Sequence, residues 1–150
     1  MKIEKAEEKD LQEILELQKL AFRSQAEIYN DFTIPPMIQT LDEIKRDFMN
    51  QTYLKTILNG KIIGSVRGYI KNETCYIGRL IVRPDLQNQG IGTKLMREIE
   101  TIFKSAQRFE VFTGHRGKKN LHLYEKLRYK RFKSEKFNNS LIMIYLEKKI

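Results

Sequence analysis

The stretch Arg83-Pro-Asp-Leu-Gln-Asn-Gln-Gly-Ile-Gly-Thr93 is where residue types and spacing first point to chemistry. It follows the apolar run Leu80-Ile81-Val82 and leads into Ile91, Leu95, Ile99, Ile102 and Phe103, which recur at helical spacing. A turn between a strand and a helix leaves the first helical amides without acceptors, and the helix dipole makes that end attractive to anions. Gly90 and Gly92 let a ligand approach the main chain closely, so a pyrophosphate fits here. Two familiar phosphate motifs fail on spacing. There is no Gly-x4-Gly-Lys-Ser/Thr, and Gly-x-Gly-x-x-Gly lacks its third glycine because Thr93, Lys94 and Leu95 follow Gly92. The pattern that fits is Gln/Arg-x-x-Gly-x-Gly, as Gln87-Asn88-Gln89-Gly90-Ile91-Gly92. On the glycines alone, an ordinary strand-to-helix turn accounts for the segment equally well.

Two later residues have the chemistry to move protons. The Tyr124 phenol, with an ordinary pKa of about 10, is protonated at neutral pH and can act as an acid. His115 has an ordinary pKa of about 6.5 and can act as a base. The plainer readings are a core tyrosine on a short helix and a hydrogen-bonded loop histidine. Cys75 reads as a strand residue. As the single cysteine it cannot form an internal disulfide, and no Cys/His cluster has metal-ligand spacing, so no metal is expected.

The elements that must position these residues follow from periodicity. Lys2 to Ala6 reads as a strand, and Asp10-Leu-Gln-Glu13 as a capping box opening a helix with Leu11, Ile14, Leu15, Gln18, Ala21 and Phe22 on one face. Residues 23 to 39 contain Pro35-Pro36 and read as a broken, loop-rich segment. Thr40-Leu-Asp-Glu43 is a second capping box, for a helix to about Met49. Strands follow at Tyr53 to Leu58, Lys61 to Lys71 and Thr74 to Val82, joined by Asn59-Gly60 and Asn72-Glu73. After the glycine loop come a helix to about Ser105, a strand at Arg108 to Thr113, and a short helix at Asn120 to Leu127. Strands near Tyr129 to Phe137 and Leu141 to Leu146 close the chain. The order β-α-α-β-β-β-α-β-α-β-β predicts an α/β (α+β) fold. Residues 1–150 are expected to form one domain, a mixed, mostly antiparallel central sheet flanked by helices, with parallel pairing at the strand–glycine loop–helix–strand unit.

Composition narrows the function classes. With 150 residues and no low-complexity segment, the chain is expected to be a soluble globular protein. The apolar runs are far shorter than the roughly 20 residues of a membrane-spanning helix. The first 20 residues carry six acidic side chains and do not read as a secretory signal, so a cytoplasmic location is expected. The net charge of +9 is uneven: residues 1–103 hold 15 basic and 15 acidic side chains, residues 104–150 hold 13 and 4. A one-sided basic surface suits a polyanion, whether nucleic acid, membrane or a phosphate-rich small molecule.

The glycine loop resembles the coenzyme A signature of the GNAT N-acetyltransferase superfamily, and two more segments extend the resemblance. Leu80-Ile-Val82-Arg-Pro84 is similar to the family's Leu-x-Val-x-Pro strand end, and Asn120-Leu-His-Leu-Tyr124-Glu-Lys-Leu127 to its Asn-x-x-x-Leu-Tyr-x-x-Leu segment. The resemblance implies acetyl transfer from acetyl-coenzyme A to a primary amine by direct attack through a tetrahedral intermediate. Ile81 and Val82 would pair with the pantetheine arm, and Gln87, Asn88, Gln89, Gly90, Ile91, Gly92 and Thr93 would hold the pyrophosphate. Asn120 would contact the pantetheine arm, and Tyr124 would protonate the departing sulfur. Lys118, Lys119 and Lys126 are nearby partners for phosphate. Glu27, Tyr29, Asp31 and Phe32 are expected to line the acceptor cleft for a small-molecule or peptide amine, and a homodimer is a further expectation of the resemblance.

The sequence departs from the family in two places. Gly78 and Arg79 stand where many members carry a carboxylate before Leu-x-Val, which leaves the base to Glu27, Asp31, Glu73, His115 or water. Arg128 stands where glycine usually ends the Leu-Tyr helix. Two other readings share these features: an acyl-coenzyme A sensor without turnover, and a nucleic-acid-binding module using the basic final third with Tyr129, Phe132 and Phe137. No helix-turn-helix, zinc-finger or RNA-recognition signature supports the last, so nucleic acid is not the expected partner.

Overall fold

The computed structural model describes residues 1–150. Seven strands, β1 (Lys2–Lys5), β2 (Thr52–Leu58), β3 (Lys61–Lys71), β4 (Thr74–Val82), β5 (Arg108–Gly114), β6 (Lys130–Lys136) and β7 (Ile142–Lys149), form one sheet in the order β1-β2-β3-β4-β5-β7-β6. Five helices flank it: α1 (Leu11–Tyr29), α2 (Pro35–Ile38), α3 (Leu41–Asn50), α4 (Ile91–Ile102) and α5 (Lys118–Lys126). Every pairing is antiparallel except β4 with β5. That exception follows from the helical crossover between them, which brings the chain back in the same direction.

Strand alternation sends successive side chains to two cores. Tyr53, Ile62 and Ile81 pack with Leu11, Ile14 and Ile44 of α1 and α3 on one face. Leu54, Ile63, Val66, Cys75 and Ile77 pack with Leu95, Met96 and Ile99 of α4 and Leu121 and Tyr124 of α5 on the other.

Two irregularities of β4 shape the site. First, β4 and β5 pair only from Thr74↔Arg108 to Tyr76↔Glu110, and beyond that point the two strands part. Second, Ser65 pairs with Ile81 but Arg67 with Gly78, so Arg79 and Leu80 together oppose Val66. This is a β-bulge, and Arg79 takes a left-handed backbone at φ 50°. The extra residue inverts the alternation: Cys75 and Ile77 face the α4 core before it, whereas Leu80 and Val82 pack against that core after it.

Several sequence expectations change. α1 does not end near Phe22 but runs to Tyr29, with Ala26 and Tyr29 continuing its buried face and Asn30 closing it in the left-handed conformation at φ 49°. Pro35 and Pro36 break nothing, because they occupy the first turn of α2, where proline's missing N–H costs no bond. The first capping interaction lies one turn earlier than expected: Asp10 Oδ2 accepts from the Glu7 N–H at 2.8 Å. Glu13 instead accepts from the Ile62 N–H at 2.7 Å, tying α1 to β3. The second capping box is present, with the Glu43 N–H donating to Thr40 Oγ1 at 3.2 Å and the Thr40 N–H to Glu43 at 2.9 Å. α5 begins at Lys118 rather than Asn120, and Arg128 after it adopts φ 76°, the conformation that glycine would supply.

Candidate active site

The parting of β4 from β5 leaves two clefts that meet in the middle of the molecule. The first, of about 670 Å³, lies between α1, the end of β4, the glycine loop and the start of α5. Its wall includes Ile81, Val82, Gln87, Asn88, Gly90, Ile91, Gly92, Thr93 and Asn120. Of the residues expected to hold a cofactor, Gln89 alone does not line it. Gly90 has φ 84°, a conformation suited to glycine, and its carbonyl accepts from the Lys94 N–H at 3.1 Å. The amides of Ile91, Gly92 and Thr93 precede that bond and have no acceptor within the helix. A Cβ at Gly92 would lie 3.4 Å from Leu123 and 3.8 Å from Leu80, so a larger side chain there would fill the space beside the loop.

Val82 sits at the edge of this cleft. The Arg83 N–H bonds to Ile63 on the β3 side at 2.8 Å, so the neighbouring Val82 peptide groups point away from β3. The Val82 carbonyl accepts from Gln87 Nε2 at 3.1 Å. Lys118, Lys119, Lys126 and Arg116 place four cationic side chains around the same cleft, complementary to several phosphates.

The second cleft, of about 530 Å³, opens on the other side of β4. Phe22, Gln25, Leu80 and Asn120 line both clefts and therefore mark their junction. Tyr124 lies one helical turn after Asn120, on the same face of α5, and lines the second cleft. Burial, with no charged partner, pushes its phenol well above the ordinary tyrosine range, so it holds its proton.

A family model, that of the Acetyltransferase (GNAT) family, matches residues 11–129, a span containing the whole glycine loop and α5. The chain belongs to the GNAT acetyltransferase family. Solved structures agree on the fold. The ribosomal-protein-alanine N-acetyltransferase from Brucella melitensis superposes with a TM-score of 0.80 at 15% identity, covering 100% of both chains. A GNAT-family acetyltransferase from Streptococcus pneumoniae gives 0.75 at 22% identity over 99% of each chain. The PaiA N-acetyltransferase from Thermoplasma acidophilum, solved in complex with coenzyme A, gives 0.75 at 18% identity over 100% of each chain. No curated protein sequence matches. No helix is long and apolar enough to cross a membrane.

Within this GNAT chain, the residues expected to contact the acceptor are dispersed. Tyr29 lines the second cleft, but Glu27, Asp31 and Phe32 line neither. Glu27 pairs with Arg23 at 3.4 Å, Asp31 accepts from the Thr33 N–H at 2.8 Å, and Phe32 is exposed. His115 also lines neither cleft, because its Nδ1 accepts from the Ile142 N–H at 3.0 Å and anchors the loop after β5 to β7. Glu73 sits in the β3–β4 turn, outside both clefts.

Other residues line the second cleft. Tyr69 and Tyr76 stack with ring centroids 5.3 Å apart, and Phe112, Tyr145, Glu110, Glu135, Arg67 and Arg79 complete much of the wall. These lie on β3, β4, β5, β6 and β7, and their shared face emerges only once the strand pairing is known. Phe22 and Gln25 join them from α1, whose continuation past Phe22 is signalled by the spacing Phe22, Ala26, Tyr29 that the loop-rich reading of residues 23–39 passed over.

Proposed function

We propose that the protein transfers an acetyl group from acetyl-coenzyme A to a primary amine. The observation that carries this reading is the junction of the two clefts at Leu80 and Asn120, with the buried Tyr124 one helical turn away. The residues of the first cleft fit the cofactor: free amides and a Cβ-less approach at the helix start for a pyrophosphate, main chain at Val82 for the amide-bearing arm, with Ile81 committed to β3 beside it, and lysines for further phosphate. Bound there, acetyl-coenzyme A supplies an electrophilic thioester carbonyl and a thiolate leaving group. Gln87 releases or shares the Val82 carbonyl to receive the arm, and Asn120 orients it from the opposite wall.

The amine enters through the second cleft as an ammonium ion and must shed a proton before it attacks. Glu110 and Glu135 are the acidic side chains bordering that cleft. Attack forms the C–N bond and a tetrahedral intermediate. Its collapse breaks the C–S bond, and the Tyr124 hydroxyl gives its proton to the sulfur. A donor held in its protonated form by burial suits that step.

Thermal unfolding with and without acetyl-coenzyme A tests the cofactor half. A ligand at 100 times its dissociation constant adds about 2.7 kcal/mol to native stability, a rise of several degrees. Thiol release on adding amines tests the transfer. No stabilisation at millimolar cofactor overturns the reading, and stabilisation without thiol release from any amine makes the protein a sensor rather than a transferase.

A further inference from the structure

We propose that the acceptor is an amino-acid-type amine whose carboxylate is bound by Arg79 in the second cleft. This rests on the acetyl-transfer reading above and specifies its substrate. The bulge places Gly78 and Arg79 consecutively on β4, opposite Arg67 and Val66, and Arg79 lines the acceptor cleft. A non-glycine residue with φ 50° carries backbone strain, which persists where the surroundings enforce it. Arg79 Nε is buried and has no hydrogen-bond partner, and no ion pair includes this side chain. A half-buried guanidinium whose Nε is shut off from water without a partner is costly, and a bound anion offsets that cost.

The neighbouring charges show that the protein does not supply this anion itself. Arg67 is committed to Asp47 Oδ2 at 2.7 Å and to the Tyr53 hydroxyl at 3.0 Å. The same Asp47 oxygen also accepts from Gln39 Nε2 at 2.7 Å. Glu110 is held by Arg108 at 2.7 Å, and Glu135 pairs with Lys133 at 3.1 Å. Asp47 is thus engaged by Arg67 and Gln39, leaving the Arg79 guanidinium with no carboxylate of its own. A monoanion matches it, and the planar guanidinium fork suits a carboxylate. Burial, with Arg67 nearby, pulls the Arg79 pKa down to about 10, which still leaves it cationic at neutral pH. The stacked Tyr69 and Tyr76 rings offer a flat wall for the rest of the molecule.

The test compares free amino acids with their decarboxylated amines, pair by pair, in the acetyl-coenzyme A thiol-release assay. The best acceptor is expected to carry a carboxylate and to outperform its decarboxylated partner. In Arg79→Gln, kcat/KM for that acceptor should fall at least about tenfold, chiefly through KM, while the decarboxylated amine and the cofactor-induced Tm rise are unchanged. Without acceptor, Arg79→Gln should be at least as stable as the parent, since it removes an unpaired, half-buried charge. If it does not fold, Arg79→Asn, better suited to a left-handed backbone, takes its place. Best acceptors lacking a carboxylate, or equal losses for both members of a pair, overturn the proposal. If no amine is acetylated although the cofactor stabilises the protein, acetyl transfer fails as a reading. The carboxylate site is then judged by amino-acid-induced Tm shifts on the coenzyme A complex: dependence on Arg79 sustains it, and independence overturns it.

Discussion

The hydroxyl of Tyr29 accepts a 2.8 Å hydrogen bond from the main-chain N–H of Arg116, joining the last turn of α1 to the loop before α5. The Arg116 guanidinium returns a 2.8 Å bond to the Ile28 carbonyl, a cation at a helix C-terminus. The helix that lines both clefts is thereby tied to the segment that carries Asn120 and Tyr124. Gly114 makes room for this tie, since a Cβ there would collide with the Tyr29 hydroxyl.

Tyr29→Phe therefore leaves the Arg116 amide without its acceptor. It should cost about 1–2 kcal/mol of stability, seen as a Tm decrease of a few degrees. Gly114→Ala should cost more, because it displaces the whole ring. A Tyr29→Phe Tm equal to the parent's would show that the bond contributes nothing.

Tyr124→Phe should lower kcat by roughly 10²–10⁴-fold, the range for losing a general acid, with the cofactor-induced Tm rise retained. Burial raises the Tyr124 pKa, so its donor form persists through neutral and moderately alkaline pH. The kcat–pH profile should accordingly show no alkaline fall at or below about pH 10 attributable to this group. Unchanged turnover in Tyr124→Phe would remove it from the mechanism.

Gly92→Asp adds both bulk and negative charge beside the free amides of α4. It should abolish the stabilisation by acetyl-coenzyme A, whereas Gly60→Ala, in the remote β2–β3 turn, should leave that stabilisation intact. Differential scanning of both variants with saturating cofactor makes the comparison.

Asp10 meets the buried Lys55 ammonium at 2.6 Å. Burial alone would raise the Asp10 pKa, but the Lys55 and Glu7 hydrogen bonds outweigh it and the carboxyl titrates below its ordinary value. A depressed folded pKa contributes stability above the unfolded value of about 3.9, and that contribution is lost as pH falls through the folded one. Asp10→Asn should cost about 1–3 kcal/mol at pH 7 and flatten stability against pH below about 4. Acid unfolding curves of the two proteins check both statements.

Much of the scaffold was legible because its signals are local. Asn59 and Gly60 adopt positive φ, as an Asn-Gly hairpin requires, and the 91–102 spacing gave α4 its buried face. Misreadings arose where one signal had two uses. Glu13 matched a capping box by spacing but serves a β3 amide, and Pro35-Pro36 matched a breaker but starts a helix. The glycine-loop residues line one cleft together because most lie in one contiguous segment. The wall of the second cleft was not legible because it is assembled from five strands, and because a single bulge decides which β4 side chains face it. Arg128 shows a different limit: its backbone conformation follows from the helix end it closes, whatever residue the chain offers.

That bulge also bears on how such a protein diversifies. Because Arg79 is the supernumerary residue, the strand downstream of it keeps its phase regardless of what side chain stands there. Ile81 and Val82 would stay aligned with the cofactor loop while position 79 is exchanged for a carboxylate, an amide or a small residue. On the proposed role of Arg79, selectivity for the incoming molecule is separable from the framework that would hold the cofactor. On that proposal, a lineage could change its diet by mutation at one site without rebuilding its engine.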